Sequence, residues 1–221
     1  MAIYNGGILD EYKNKVGNVV GRRWRNLDII SKYQPNVKNP NTEKQQIQRM
    51  KFRTLSSIAK AFRIPLAISM AGVAAGTKNP VRGQFIQRNV NAVVVTLPDT
   101  IDVDYTMLQV ADGGYSMEAS FGSPAFDDPL TVAVAFSYDV IPDVTSGDDM
   151  VHIVVYNPGA GLAIETAVKA STHNCAVTVP NSWNGETVHV WGYTVAAKAG
   201  NRPTSRAHVS PSHYLGKGSI S

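Results

Sequence analysis

The hydrophobic period of this chain changes at Pro98, and that change limits the folds open to it. Before it, Ile47, Met50, Leu55, Ile58 and Phe62 recur every three to four residues, the spacing of one helix face. After it, Leu130, Val132, Val134, Phe136 and Tyr138 alternate with Thr131, Ala133, Ala135 and Ser137, the spacing of a strand with two unlike faces. Similar runs occupy 101–110, 115–121, 151–156, 162–170, 175–179, 187–196 and 206–215. Turn residues separate them, at Asp112-Gly113-Gly114, Gly122-Ser123-Pro124, Asn157-Pro158-Gly159 and Asn184-Gly185. Seven or eight short strands at this spacing predict an antiparallel, immunoglobulin-like β-sandwich over residues 99–221. The paired cysteines of antibody domains are absent, and Trp191 is the expected anchor of the sandwich core.

The first 98 residues read as a separate small module, so the predicted class is α+β. Residues 1–15 carry no period and read as an extended arm. Val16, Val20 and Trp24, then Leu27, Ile29 and Tyr33, predict two strands turning near Arg25-Asn26, with Gly17 and Gly21 marking a bulge or close backbone approach. Asn39-Pro40 offers a helix cap followed by a proline that needs no N–H partner. Thr42 with Gln45 offers a competing capping box. Pro65 stops or kinks that helix. Lys78-Asn79-Pro80 repeats the start signal, and Val81, Phe85, Val90 and Val93 follow on a second helix. The small residues of 70–76 read as a flexible linker between the two.

Charge divides at the same place. Residues 1–98 hold 16 Lys and Arg against 4 Asp and Glu, whereas 99–221 hold 5 against 13. Such asymmetry suits a nucleic acid, an acidic protein surface, or the acidic half of a neighbouring copy in a head-to-tail contact. The sharpest cluster is Arg22-Arg23-Trp24-Arg25. Arginine and tryptophan dominate protein hot spots, and cations beside an aromatic also suit phosphates and bases. The bland reading is a core tryptophan flanked by solvated arginines. With Ile8 and Leu9 of the arm, Lys38 and Arg49, these four form the predicted partner interface.

Catalytic signatures are missing. His152, His173, His189, His208 and His213 show no zinc spacing, and no phosphate-binding loop or nucleophile elbow occurs. His152 and His189 are expected at the surface or an edge. His173 and Cys175 share a strand face, but no oxyanion loop or third orienting group accompanies them. Cys175 has no disulfide partner and is expected to be a buried thiol. Asp127-Asp128 and Asp148-Asp149 read as solvated turn acids, without calcium-loop spacing. No cofactor or metal is expected. No apolar run is long enough to span a membrane, and the N-terminus lacks the basic start and apolar core of a signal peptide.

Several longer motifs carry a resemblance. They are G-I-L at residues 7–9, K-V-G-N-V-V-G at 15–21 with Trp24 following, K-N-P-x-T at 38–42 and R-x-x-F at 49–52. Further on come V-V-Y-N-P at 154–158, the run from Val179 to Val190, and Tyr214-Leu215-Gly216. In these the chain resembles a domain-of-unknown-function family of small proteins from bacteria of one gut- and soil-associated phylum and their tailed phages. The Ala/Gly-rich residues 70–78 depart from that pattern. The resemblance implies an architecture and a genomic setting, with no established activity. Together these features predict a non-enzymatic structural protein of a phage particle, as capsid decoration, neck or tail. It is expected to contact other virion proteins and its own copies through the basic module. The alternative is a nucleic-acid-binding protein using the basic half, in the bacterial cytoplasm or at the cell surface.

Overall fold

The structure is a computed structural model. It describes residues 2–4, 14–24, 27–36, 40–98, 100–116, 119–139, 147–197 and 205–221, and for residues 2–4 and Trp24 the backbone alone. The fold is mixed α/β, and the strand pairings among these residues are antiparallel. The chain divides into two compact units, Met1–Thr42 and Glu43–Ser221.

The first unit is a four-stranded sheet. Strands β1 (Ala2–Tyr4), β2 (Asn14–Val16), β3 (Val19–Trp24) and β4 (Leu27–Lys32) lie in the order β1-β4-β3-β2. Val16 pairs with Val19, so Gly17 and Asn18 make a two-residue hairpin turn. Gly17 supplies the positive φ of 59° that such a turn needs at its first position. The glycine predicted to bulge a strand ends one instead. Trp24 pairs with Leu27, which sets the predicted strands on either side of residues 25–26. Part of the expected arm is strand: β1 pairs with β4, and β2 with β3.

The second unit has three layers. Helices α1 (Glu43–Ala61), α2 (Arg63–Ser69), α3 (Ala71–Ala74) and α4 (Val81–Asn89) come first. The short strands β5 (Val93–Thr96) and β6 (Thr100–Val103) pair with each other. Then β7 (Ser120–Phe121), β8 (Thr131–Ser137), β9 (Met150–Asn157), β10 (Leu162–Lys169), β11 (Asn174–Thr178), β12 (Thr187–Val195) and β13 (His213–Ser219) form two sheets. Their orders are β10-β9-β12-β13 and β11-β8-β7. One core lies between the sheets, where Val132 and Val134 of β8 meet Val151, Ile153 and Val155 of β9 and Val188 and Val190 of β12. A second core lies on the other face of the four-stranded sheet. There Leu55, Phe62, Leu66 and Phe85 of the helices pack on Val154, Tyr156, Trp191 and Tyr193.

This second core moves the domain boundary from Pro98 to Thr42/Glu43. The helical stripe predicted from Ile47 to Phe62 is the packing face of α1, with Leu55, Ile58 and Phe62 buried. What it packs on is the sheet that follows Pro98, so helices and strands share one core. Trp191 is fully buried as predicted but on the helix side, where its indole N–H donates to the Leu108 carbonyl at 3.1 Å. Trp183 is the tryptophan of the core between the sheets.

Helix boundaries also move for local reasons. Asn41 takes a left-handed φ of 51°, so the helix begins at Glu43, just after Thr42, and not at Pro40. Lys38 and Asn39 lie outside the described residues. Pro65 sits inside the first turn of α2, where backbone N–H groups lack helical partners, and the break between helices falls at Phe62. The expected flexible linker contains α3, with Met70 and Val73 buried. Val93, predicted on the second helix, starts β5.

Candidate functional site

The predicted interface residues fall in both units. Arg22 and Arg23 are neighbours on β3 and both are exposed. Neighbouring strand residues point to opposite faces, so the first sheet is solvated at both. Arg23 pairs across the sheet with Asp28, its guanidinium 4.0 Å from the carboxylate, and Arg22 pairs with Ile29. Trp24 closes β3 opposite Leu27. Lys15 on β2 sets its ammonium 3.6 Å from the Tyr33 ring centroid, a cation–π contact that the sequence did not single out. Val16 and Val19, flanking the Gly17 turn, are exposed. Ile29 is the one buried large apolar side chain described in this sheet. Arg49 belongs to the second unit, on the exposed side of α1. Ile8, Leu9, Arg25 and Lys38 lie outside the described residues.

In the second unit, two of the histidines are buried beside polar partners. His152 and His189 are 6% and 9% exposed, which overturns their expected surface placement. Both lie on the helix-side face of the four-stranded sheet, and each finds a polar partner there. His152 Nδ1 sits 2.8 Å from Glu165 Oε1, and its ring stacks on Tyr193 with centroids 4.8 Å apart. The Tyr193 hydroxyl donates to the same Glu165 oxygen, and burial beside that carboxylate holds the phenol far above its ordinary pKa. His189 Nδ1 is 2.9 Å from the Tyr214 hydroxyl, and its ring stacks on Tyr105 at 4.0 Å. Burial, aided by repulsion from Lys217, pulls His189 down to about 4, so it is neutral at physiological pH.

The paired acids separate into different roles. Asp149 is buried and accepts from the hydroxyls of Tyr115 and Tyr138 and from the Ala197 amide. Asp148 is exposed and pairs with Lys169 at 2.7 Å. Asp127 and Asp128 are both exposed in the turn before β8. Cys175 is buried on β11, and burial pushes its thiol up to about 11, which keeps it protonated and a poor nucleophile. His173 is exposed, at a left-handed φ of 56°, so the two do not form a buried dyad. Among the described residues no group of three His, Cys, Asp or Glu is arranged to hold a metal ion, and no helix is long and apolar enough to cross a membrane.

On the helices the exposed charge is cationic. Residues 43–98 hold nine Lys and Arg against a single acid, Glu43, whereas 1–42 hold seven against three. Lys44, Arg49, Arg53, Lys60, Arg63 and Arg82 are all exposed, beside exposed Phe52 and Ile64. These cations are spread over α1, α2 and α4 and do not form a run as Arg22–Arg25 do.

Comparison with known proteins sets this geometry in a family. A model described as a family of unknown function, DUF6266, matches residues 11–216, and the chain belongs to that family. No curated protein matches the chain. Among solved structures, the alpha chain of the chicken interferon gamma receptor is similar at 10% identity and a TM-score of 0.35. That similarity covers 57% of this chain and 62% of the receptor chain.

Proposed function

We propose that this member of the DUF6266 family is a non-enzymatic structural protein of a bacteriophage particle, which it joins through the sheet of Met1–Thr42. The two facing sheets of the second unit are read as an immunoglobulin-like sandwich carrying an added helical layer, a stable body for multi-copy display. The observation that carries the proposal is the composition of the first unit. It is a four-stranded sheet with two edge strands, β1 and β2, exposed Val16, Val19, Arg22 and Arg23, and one buried large apolar side chain among those described. Strand edges pair readily with other chains, and a small sheet gains order from a neighbour. The resemblance to proteins of bacteria and their tailed phages supports a virion setting. Buried, mutually satisfied histidines and carboxylates support a structural role, since catalytic groups need access to a substrate.

The test is a chain starting at Glu43, compared with the full chain by thermal melting and by mass spectrometry of purified particles. The shortened chain is expected to melt cooperatively and to be missing from particles. Normal incorporation would reject the proposal. The second reading, nucleic-acid binding, draws on the nine-to-one charge ratio of residues 43–98. It requires DNA affinity that falls steeply between low and moderate salt.

A further inference from the structure

The break between α1 and α2 shapes a basic groove. Phe62 is buried at the break, and Lys60 and Arg63 stand exposed on either side of it. Two adjoining cavities of about 410 and 580 Å³ share Lys60, Arg63 and Ala67. Arg82 of α4 borders the first, and Ile64 with Leu162 of β10 borders the second. Arg82 is held over α1 by donating to the Ser56 carbonyl at 3.1 Å. No acid lines either cavity, and Lys60, Arg63 and Arg82 have no carboxylate partner among the described residues. Ile64 and Leu162 are 71% and 47% exposed. Unneutralised cations beside exposed apolar side chains mark a surface suited to an acidic partner that also covers hydrocarbon.

The same unit carries the complementary surface. Of its two acidic pairs, Asp148-Asp149 is engaged internally, whereas Asp127-Asp128 is exposed and makes no ion pair among the described residues. The Asp127-Asp128 turn is fixed in place. The Thr131 amide donates to the Asp128 carbonyl at 3.2 Å, and the Leu130 amide donates to the Ser221 carbonyl at 3.1 Å. This turn leads into β8 of the three-stranded sheet, while the groove lies in the helical layer on the other side of the four-stranded sheet.

We propose that copies of this chain associate head to tail, the Asp127-Asp128 turn of one seating in the Lys60/Arg63/Arg82 groove of the next. The contact joins two unlike patches, so it builds rings or open chains of subunits and not a single twofold dimer. It goes beyond the function proposed above and uses no residue of Met1–Thr42, so either can fail alone. The experiment uses full-length purified protein, with light scattering across a dilution series. Wild type is expected to grow beyond a dimer. The K60E/R63E and D127K/D128K variants are each expected to lose association by about tenfold or more, as oppositely charged close pairs become like-charged. All four side chains are exposed, and a thermal melt checks folding; K60Q/R63Q serves if the reversed groove destabilises the helices. Mixing the two reversed variants brings opposite charges together at both contacts, native turn in native groove and reversed turn in reversed groove, so growth that neither variant shows alone is expected in the mixture. A monomeric wild type, or a mixture that fails to pair, would overturn the proposal. Loss of binding to a short DNA duplex in K60E/R63E with self-association unchanged would also overturn it and assign the groove to a polyanion.

Discussion

The four-stranded sheet presents two faces of different chemistry. Toward the other sheet it shows Val151, Ile153, Val155, Val188 and Val190, branched apolar side chains, with buried Thr194 at one end accepting from the Ala119 amide at 3.2 Å. Toward the helices it shows Val154 and five rings with polar tips: His152, Tyr156, His189, Trp191 and Tyr193. The difference follows from what each face meets. A strand-on-strand contact is about 10 Å thick and is filled by β-branched residues. Helices leave deeper, less regular gaps that rings fill. Phe62 meets Tyr156 at 4.9 Å and Trp191 edge-on at 5.7 Å, and the polar tips reach Glu165, Tyr214 and the Leu108 carbonyl. The apolar face is held mainly by shape, with one hydrogen bond at Thr194. The aromatic face is held by shape and by a set of mutually dependent hydrogen bonds.

Removing the largest ring tests whether the two faces belong to one cooperative body. Trp191→Ala is expected to cost ~3–5 kcal/mol in chemical denaturation, through the cavity and the lost indole hydrogen bond. Helical and strand signals should be lost together. If the helical signal of the variant disappears first, in its own transition, the helices form a separate domain after all and the shared core is wrong.

Smaller changes sharpen the contrast between faces. Glu165→Ala should cost ~1–3 kcal/mol, because the Tyr193 hydroxyl and His152 lose a buried acceptor. On the opposite face Val155→Thr, close to the same shape, should also cost ~1–3 kcal/mol, for the reverse reason: the new hydroxyl meets only hydrocarbon. A negligible cost at either position would show that water reaches it.

The sequence made one face legible and hid the other. Strict alternation along β8 marks a strand with one buried face, and the predicted and observed elements coincide there. β9 and β12 are buried along nearly their whole length. Sheets covered on both sides read as nearly continuous apolar runs. Val151 to Tyr156 is such a run, broken only by His152, and that residue supported a half-exposed reading. The helical stripe was equally visible, but periodicity names a buried face without naming what covers it, so Pro98 was taken as a boundary. In the first unit Gly17 punctuated the chain as expected of glycine. Whether it bulged a strand or ended one depended on pairing with β2, which has only three residues and no alternation to read. The groove at Lys60 and Arg63 was hidden for another reason. It arises from the break at Phe62, and a helix break three residues ahead of a proline reads as the effect of that proline.

The smallest expected effect concerns the proton that the aromatic face excludes. An unfolded His189 has the ordinary imidazole pKa of 6.5, whereas the folded protein lowers it to about 4 by burial first and by Lys217 second. Above pH 6.5 neither state binds the proton, and His189 adds no pH dependence. Between 6.5 and 4 the unfolded chain takes up a proton that the folded protein refuses, so stability falls as pH falls through that window. Below 4 both states are protonated and the loss stops growing. Other carboxylates titrate at the lower end, so the informative quantity is a difference. A His189→Gln variant keeps an acceptor for the Tyr214 hydroxyl and never takes up a proton. The melting temperature of wild type should fall relative to this variant on going from pH 7 to pH 4, most of all on the acid side of 6. An imidazole resonance for His189 that titrates near 6.5 in the folded protein would show that solvent reaches the ring. It would also show that the aromatic face is less closed than its packing indicates.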